Sequence, residues 1–256
     1  AKWAAWGADG NSTEVAHATM ARGRRAMPVS KLSAREAAQL YHSALGHVGA
    51  ETLRGMLDAD TGLTDEQRSK IRAGIPALDC GICKLANVES KPAPAADVAE
   101  RQQSGFVVTD VKGPLPRCDV GPFKNARYIV MFVDLALQYC GIYVVQRKNM
   151  ALAAFRKFKA DMRALRADYR VRVLRSDNGG EYVNTDFEQE CERDGTRKET
   201  GSPYTPNQTL IEGSWRFVGR VMRAGLLESG LPLGCWPYFA LLAQDLRNMI
   251  VREGGA

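Results

Sequence analysis

Two imidazoles and two thiols, His42, His47, Cys80 and Cys83, follow one another as H-x4-H, a long gap, and C-x2-C. Zinc favours four tetrahedral nitrogen and sulfur ligands, and structural sites of two His and two Cys are closed to water. The chain holds only three His, and two of them lie close together upstream of its single C-x2-C pair. Residues 48–79, between the two halves, leave room for a helix or two. Cys80-Gly81-Ile82-Cys83 reads as a tight knuckle aiming both sulfurs at one ion. This order reverses that of the common DNA-reading finger. A short helical segment buries too little apolar area to fold alone, so a metal staple constrains what this part of the chain becomes.

The segments around the quartet read as helices. Ser33-Ala34-Arg35-Glu36 is a capping box, and the helix it opens runs to about Leu45, with Gly46 as its stop. A second helix is expected over Glu51 to Leu57, with Leu53, Met56 and Leu57 inward. A third starts at Thr64-Asp65-Glu66-Gln67 and ends near Gly74-Ile75-Pro76. Residues 1–32 read as weakly ordered, and the Arg22-Gly23-Arg24-Arg25 cluster as solvated. Lys91-Pro92-Ala93-Pro94-Ala95-Ala96 favours extended chain and stops any helix. The expected layout is therefore a helical module over 33–90, a Pro/Ala linker over 91–100 and a larger domain over 101–256.

Beyond the linker the pattern is α/β. Phe106 to Val111 reads as a strand, closed by Gly113-Pro114. Tyr128 to Asp134 and Cys140 to Val145 are β-rich runs forming a hairpin. Ala151 to Leu165 reads as a helix with Phe155, Phe158, Met162 and Leu165 on one face. Val171 to Ser176 is a further strand running into Asp177. Thr185-Asp186 caps a helix ending at Gly195, and a short strand near Arg197 and Lys198 follows. Two helices close the chain, one from near Leu210 to about Leu227 and one from Pro237 to about Val251.

A length of 256 residues suits two unequal domains. The net charge of +6 fits a phosphate-rich partner without requiring one. No apolar run approaches the roughly 20 residues of a membrane helix. The N-terminus lacks the charged and apolar regions of a secretory signal. The chain does not open on Met, so a piece of a longer protein is expected. Cys118, Cys140, Cys191 and Cys235 are scattered singly, which suits buried small hydrophobes in a reducing compartment rather than a disulfide framework.

Three acids stand where strand or helix ends aim them into one pocket: Asp110, Asp177 and Glu212. Phosphodiester transfer needs an activated oxygen nucleophile and a stabilised leaving oxygen. Two Mg2+ ions about 3.5–4 Å apart supply both. Mg2+ keeps several waters, so a few converging carboxylates suffice. Gly179 and Gly180 permit a sharp turn after Asp177. Arg216, Arg220 and Arg223 lie on or beside the helix face of Glu212 and form a row that tracks phosphates. Ile211, Trp215, Val218 and Met222 read as the opposite, core-facing stripe. Asp134 also follows an apolar strand, and as a strand-end acid reads first as a turn former.

With these residues in view, the chain from about Tyr41 to Asn248 resembles the integrase region of copia-type long-terminal-repeat retrotransposons. YHSALGH followed by CGICK is similar to the zinc-binding module before that core. VVTDVKGPLP resembles the segment bearing the first catalytic Asp, LRSDNGGEYVNTDF the second, and SPYTPNQTLIEGSWR the one with the final Glu. The resemblance implies an RNase H-like core, a five-stranded mixed sheet flanked by helices, preceded by a small helical zinc-binding module. It implies a polynucleotidyl transferase with structural Zn2+ and two catalytic Mg2+ or Mn2+ ions. Such an enzyme trims the 3′ ends of element DNA and then joins them to target DNA. It implies a homo-multimer, no membrane, and an intracellular, ultimately nuclear, setting. Contacts to DNA would come from the loop at Asn207 and Gln208 and from Arg216, Arg220 and Arg223.

Two departures stand beside this resemblance. The stretch Asn207 to Ile211 is one residue short and lacks the usual Gly, and Gly213 stands where a basic residue is common. No C-terminal DNA-binding domain is expected before the chain ends at Ala256. Two further readings stay open: a non-catalytic nucleic-acid-binding remnant, and an RNase H-like nuclease that cleaves without joining.

Overall fold

A computed structural model describes residues 31–58, 62–86, 104–177, 179–180, 182–200 and 208–249, with Thr200 and residues 208–210 described by backbone alone. The N-terminal segment 1–30, including the Arg22–Arg25 cluster, lies outside the described residues. So do the Pro/Ala linker, the loop 201–207 and the residues after 249. The chain divides into two compact units. The first comprises residues 1–88 with 227–229 and 249–256, and the second residues 89–226 and 230–248.

The first unit is helical. Helix α1 spans Ala34–Ala44 and opens on the expected capping box. The Ser33 hydroxyl accepts from the Glu36 N–H at 3.3 Å and the Glu36 carboxylate accepts from the Ser33 N–H at 2.9 Å. Helix α2 covers Ala50–Asp58 and buries Leu53, Met56 and Leu57. Helix α3, Asp65–Gly74, is capped reciprocally by Thr64 and Gln67. Its last residue, Gly74, admits the α1 backbone so closely that a Cβ would stand 1.9 Å from the Ala34 oxygen. One element was not expected: residues Gly81–Ala86 form a short helix, α4. The knuckle therefore has Cys80 just before a helix and Cys83 inside its first turn.

The second unit is built on one sheet. Strands β1 (Phe106–Lys112), β2 (Tyr128–Asp134), β3 (Cys140–Val145), β4 (Val173–Ser176) and β5 (Arg197–Thr200) lie in the order β3-β2-β1-β4-β5. The β1–β2 and β2–β3 pairs are antiparallel, and β1–β4 and β4–β5 are parallel. This is the expected five-stranded mixed sheet. The flanking helices are α5 (Ala151–Leu165), α6 (Thr185–Asp194), α7 (Gln208–Ser229) and α8 (Trp236–Met249).

Alternation along β1 separates two faces. Val107 joins Val130, Phe132 and Leu174 in a core shared with Phe155, Phe158 and Met162 of α5 and Phe187 of α6. Phe132 stacks on Phe158 with ring centres 5.0 Å apart. Leu165 breaks the expected pattern. It is 63% exposed and is the last residue of α5. Helix α6 is capped by the Asn184 side chain rather than by Thr185-Asp186, and stops at Gly195 with φ 66°. Strand β3 is a sheet edge, where unpaired N–H groups invite foreign strands. Here Gln244 and Asn248 of α8 accept from the Ile142 and Cys140 N–H groups at 2.6 and 2.9 Å.

An ion cluster ties α5 to α6. Lys159 and Arg156 each donate to Glu190 at 2.7 Å, and Lys159 also reaches Asp194. Burial alone would raise the Glu190 carboxyl, but the two cations overcome it and hold it at about 2. A depressed acid stabilises the fold above its unfolded value and loses that contribution as pH falls through the folded one. Glu190→Gln should therefore cost about 3 kcal/mol at pH 7, the cost of stranding a buried charge that keeps one partner. Urea denaturation should show the gap from wild type narrowing as pH falls from 4.5 toward 2. A gap unchanged across that range would remove the ion cluster from the account.

Candidate metal centres

The His and Cys ligands come together in the first unit. Helix α1 ends with the Leu45 N–H bonded to the Tyr41 carbonyl. Gly46 and His47 then both take left-handed backbone, φ 68° and 61°. Such a conformation is unusual for a residue with a Cβ, and it costs of order 1 kcal/mol or more. It folds the chain back so that the His47 ring meets the edge of the His42 ring, with centres 4.9 Å apart. Cys80 and Cys83 complete the group from the start of α4. One ligand atom from each of the four residues lies within 4.8 Å of the other three.

Four of the six separations lie close to those of a tetrahedral site. Metal–ligand bonds of about 2.0–2.1 Å to nitrogen and 2.3 Å to sulfur imply edges of roughly 3.3–3.8 Å. Here His42 Nε2 lies 3.1 Å from Cys83 Sγ and 3.2 Å from His47 Nδ1. His47 Nδ1 lies 3.4 Å from Cys80 Sγ and 3.7 Å from Cys83 Sγ. Burial works to raise the Cys80 thiol, but the Cys83 N–H, Gln39 and His47 outweigh it and favour the thiolate. Each ring also turns its far nitrogen to an oxygen. His42 Nδ1 sits 2.9 Å from the Val48 carbonyl, and His47 Nε2 sits 3.1 Å from Glu228. Both ring orientations thus leave one nitrogen facing the centre of the group. The donor set and its spacing fit zinc.

The carboxylates lie in the second unit, on the face of β1 opposite the α5 core. Phe106, Val108 and Asp110 share this face, since side chains alternate along a strand. The parallel register pairs Val108 with Arg175, and extending it by two residues sets Asp110 level with Asp177. Asp177, just beyond β4, is exposed and accepts from the Gly179 N–H at 3.1 Å. Tyr182 anchors the chain after it. Fully buried, it shares a 2.7 Å hydrogen bond with Thr109, the neighbour of Asp110, and its carbonyl accepts from Lys198.

Asp110 is half-buried and held on both oxygens. Oδ1 accepts from the Val111 N–H at 2.7 Å, and Oδ2 from the Trp215 indole N–H at 2.8 Å. Burial pushes its carboxyl above the usual range, and the charge of Asp177 adds to the rise against those two hydrogen bonds. Lys112 follows on the same face, with its ammonium 4.7 Å from the centre of the Trp215 ring. Burial lowers the Lys112 amine, while the charges of Asp110 and Glu212 work against that fall. Glu212 is exposed on α7. Asp110 is thus tied to the Glu212 helix through Trp215, the Lys112 amine feels the charges of both Asp110 and Glu212, and the Asp177 charge reaches Asp110 alone. Among the described residues the three acids do not form a set as tight as the His and Cys group.

Several expectations need correction. Helix α7 begins at Gln208, so Glu212 stands in its second turn rather than its first. Trp215 is 6% exposed, but its polar edge serves Asp110, so it does not belong to a stripe opposite Glu212. Three residues advance a helix by nearly one turn, which places Trp215 beside Glu212. Ile211 and Val218 are buried as expected, joined by Val221 and Ala224, while Met222 is half-buried. Arg216 and Arg223 are exposed and Arg220 is half-buried. Asn207 lies outside the described residues, and Gln208 is described by backbone alone. Asp134 is fully buried and accepts from Gly105, Ala136, Leu137 and Tyr169, the environment of a turn-forming residue.

Sequence reasoning missed Lys112, Trp215 and Glu228. The alternation placing Lys112 beside Asp110 and the three-residue step from Glu212 to Trp215 were readable signals. Glu228 carried none.

Comparison with known proteins adds sequence relatives. No family model matches the chain. It is 25% identical over 226 residues to the retrovirus-related Pol polyprotein from transposon TNT 1-94 of Nicotiana tabacum, covering 87% of this chain and 16% of that protein. It is also 25% identical over 212 residues to the retrovirus-related Pol polyprotein from transposon RE2 of Arabidopsis thaliana, covering 82% of this chain and 14% of that one. The chain thus spans about a sixth of the length of these curated relatives. Among solved structures it is similar to a chain of the simian T-cell lymphotropic virus intasome in complex with PP2A regulatory subunit B56 gamma. That likeness has a TM-score of 0.45 and 18% identity, over 81% of this chain and 66% of that one. Both sequence relatives are thus Pol polyproteins of plant transposons.

Proposed function

We propose that this chain carries out metal-dependent 3′-end processing and strand transfer of element DNA into target DNA, as the integrase of a copia-type retrotransposon. The observation that carries the reading is the link between Asp110, the strand leading to Asp177, and the Glu212 helix through the Trp215 indole. Asp110, Asp177 and Glu212 would hold the divalent cations, Mg2+ or Mn2+. When bound, these ions activate an oxygen nucleophile and stabilise the leaving oxygen. The chain's own part is positioning. Trp215 and the Val111 N–H fix both oxygens of Asp110, so the carboxylate keeps one orientation. Like charge between Asp110 and Asp177 favours a cation between them. Zinc bound by His42, His47, Cys80 and Cys83 would have a structural role only.

Arg216 and Arg223, exposed on the helix that carries Glu212, would hold DNA phosphates. Such contacts position the duplex without reading its sequence. Replacing both with Ala should weaken binding about equally across DNA sequences. It should also reduce the slope of log affinity against log salt by about 2. An unchanged slope would remove these arginines from the interface.

A strand-transfer assay on labelled DNA ends with Mg2+ or Mn2+ tests the whole reading. Joined products support it, and cleavage without joining supports a nuclease. DNA binding with neither product supports a non-catalytic remnant.

A further inference from the structure

The zinc-ligand geometry leaves one acid of the first unit without a role. Glu228, in the last turn of α7, belongs with residues 227–229 to that unit. Its Oε2 lies 3.1 Å from His47 Nε2, and its carboxylate is also held by the Ser43 side chain of α1. The His47 side chain is 1% exposed and that of Glu228 29%, so water competes little at the imidazole end of this contact. The other imidazole follows the same plan, with a backbone carbonyl as acceptor at 2.9 Å.

We propose that Glu228 is a positioning residue for the zinc centre. It accepts the Nε2–H of His47, fixes the tautomer that leaves Nδ1 free, and turns that nitrogen toward Cys80, Cys83 and His42. This inference rests on the zinc reading given above. The physical reason is that a ligating imidazole has two nitrogens, and the bond made by one decides which lone pair the other presents. His47 needs this more than His42 does. It sits just past the helix end on left-handed backbone, where no further helical turn holds its ring. A carboxylate also makes the imidazole a more basic ligand than a carbonyl would.

The test uses the full chain loaded with zinc or with cobalt as a spectroscopic stand-in. Zinc affinity is read by competition with a chromophoric chelator in wild type, Glu228→Ala and Glu228→Gln. The expected loss for Glu228→Ala is about 10- to 100-fold, the usual cost of removing such a partner. The cobalt ligand-field bands should persist, because all four ligands remain. Glu228→Gln keeps an acceptor oxygen and should lose less than Ala. Equal affinity for wild type and Glu228→Ala would overturn the role of Glu228 while leaving the zinc centre standing, as would a Gln variant as weak as Ala. If wild type itself binds no zinc and gives no tetrahedral cobalt spectrum, the zinc reading falls and this inference falls with it.

Discussion

Replacing Asp177 with Asn should lower the proposed joining of DNA ends by about a thousandfold or more, in either Mg2+ or Mn2+. The estimate follows from the several kcal/mol that metal ions contribute to charge stabilisation at a transferring phosphoryl group, each 1.36 kcal/mol being a factor of ten. Asn keeps the size of Asp and its turn-forming oxygen, so the bond from the Gly179 N–H survives and the fold is not disturbed. What is lost is a negative charge beside Asp110. The same change therefore relieves Asp110, whose carboxyl is raised in part by Asp177. DNA binding should persist, because the exposed arginines of α7 are untouched. Wild-type joining in the Asn variant would mean that Asp177 holds no catalytic ion.

Removing zinc has the second large effect, on stability rather than on chemistry. Structural zinc in small modules contributes about 10–16 kcal/mol of apparent binding energy, comparable with or above the whole stability of a domain. Helices α1 to α4 have 6 to 11 residues, short enough that packing alone holds them weakly. With excess chelator, or with His47→Ala, hydrogen exchange should lose its protection across residues 34–86 while the sheet keeps its own. The left-handed backbone of His47 points the same way, since its strain persists only where something offsets it. Full protection of α1 and α2 in metal-free protein would show that the four ligands hold no structural ion.

Most of the architecture was legible because it is local. Ser33 with Glu36 and Thr64 with Gln67 announce helix starts, since a side chain three residues on reaches the orphan N–H groups. Helix α5 was readable to the residue, because Phe155, Phe158 and Met162 recur at helical spacing. Only Leu165 was misread, since its spacing placed it on the buried face and it is exposed. Helix α4 escaped notice because six residues give no period to detect. The His and Cys group was legible in composition and spacing, but its acceptors were not. Glu228 lies 181 positions from His47, and no local rule connects them. Trp215 shows a different failure. A large apolar ring was assigned to the core by type, yet its one polar atom serves a carboxylate on β1.

The proposed chemistry depends on Asp110, Asp177 and Glu212 sharing divalent cations. The most direct measurement is anomalous scattering at the manganese edge from crystals of the full chain soaked in Mn2+ near neutral pH. Density for manganese in contact with carboxylate oxygens of Asp110 and Asp177, with Glu212 turned to it, is the predicted result. Manganese bound elsewhere on the protein, with nothing between those three side chains, would contradict it.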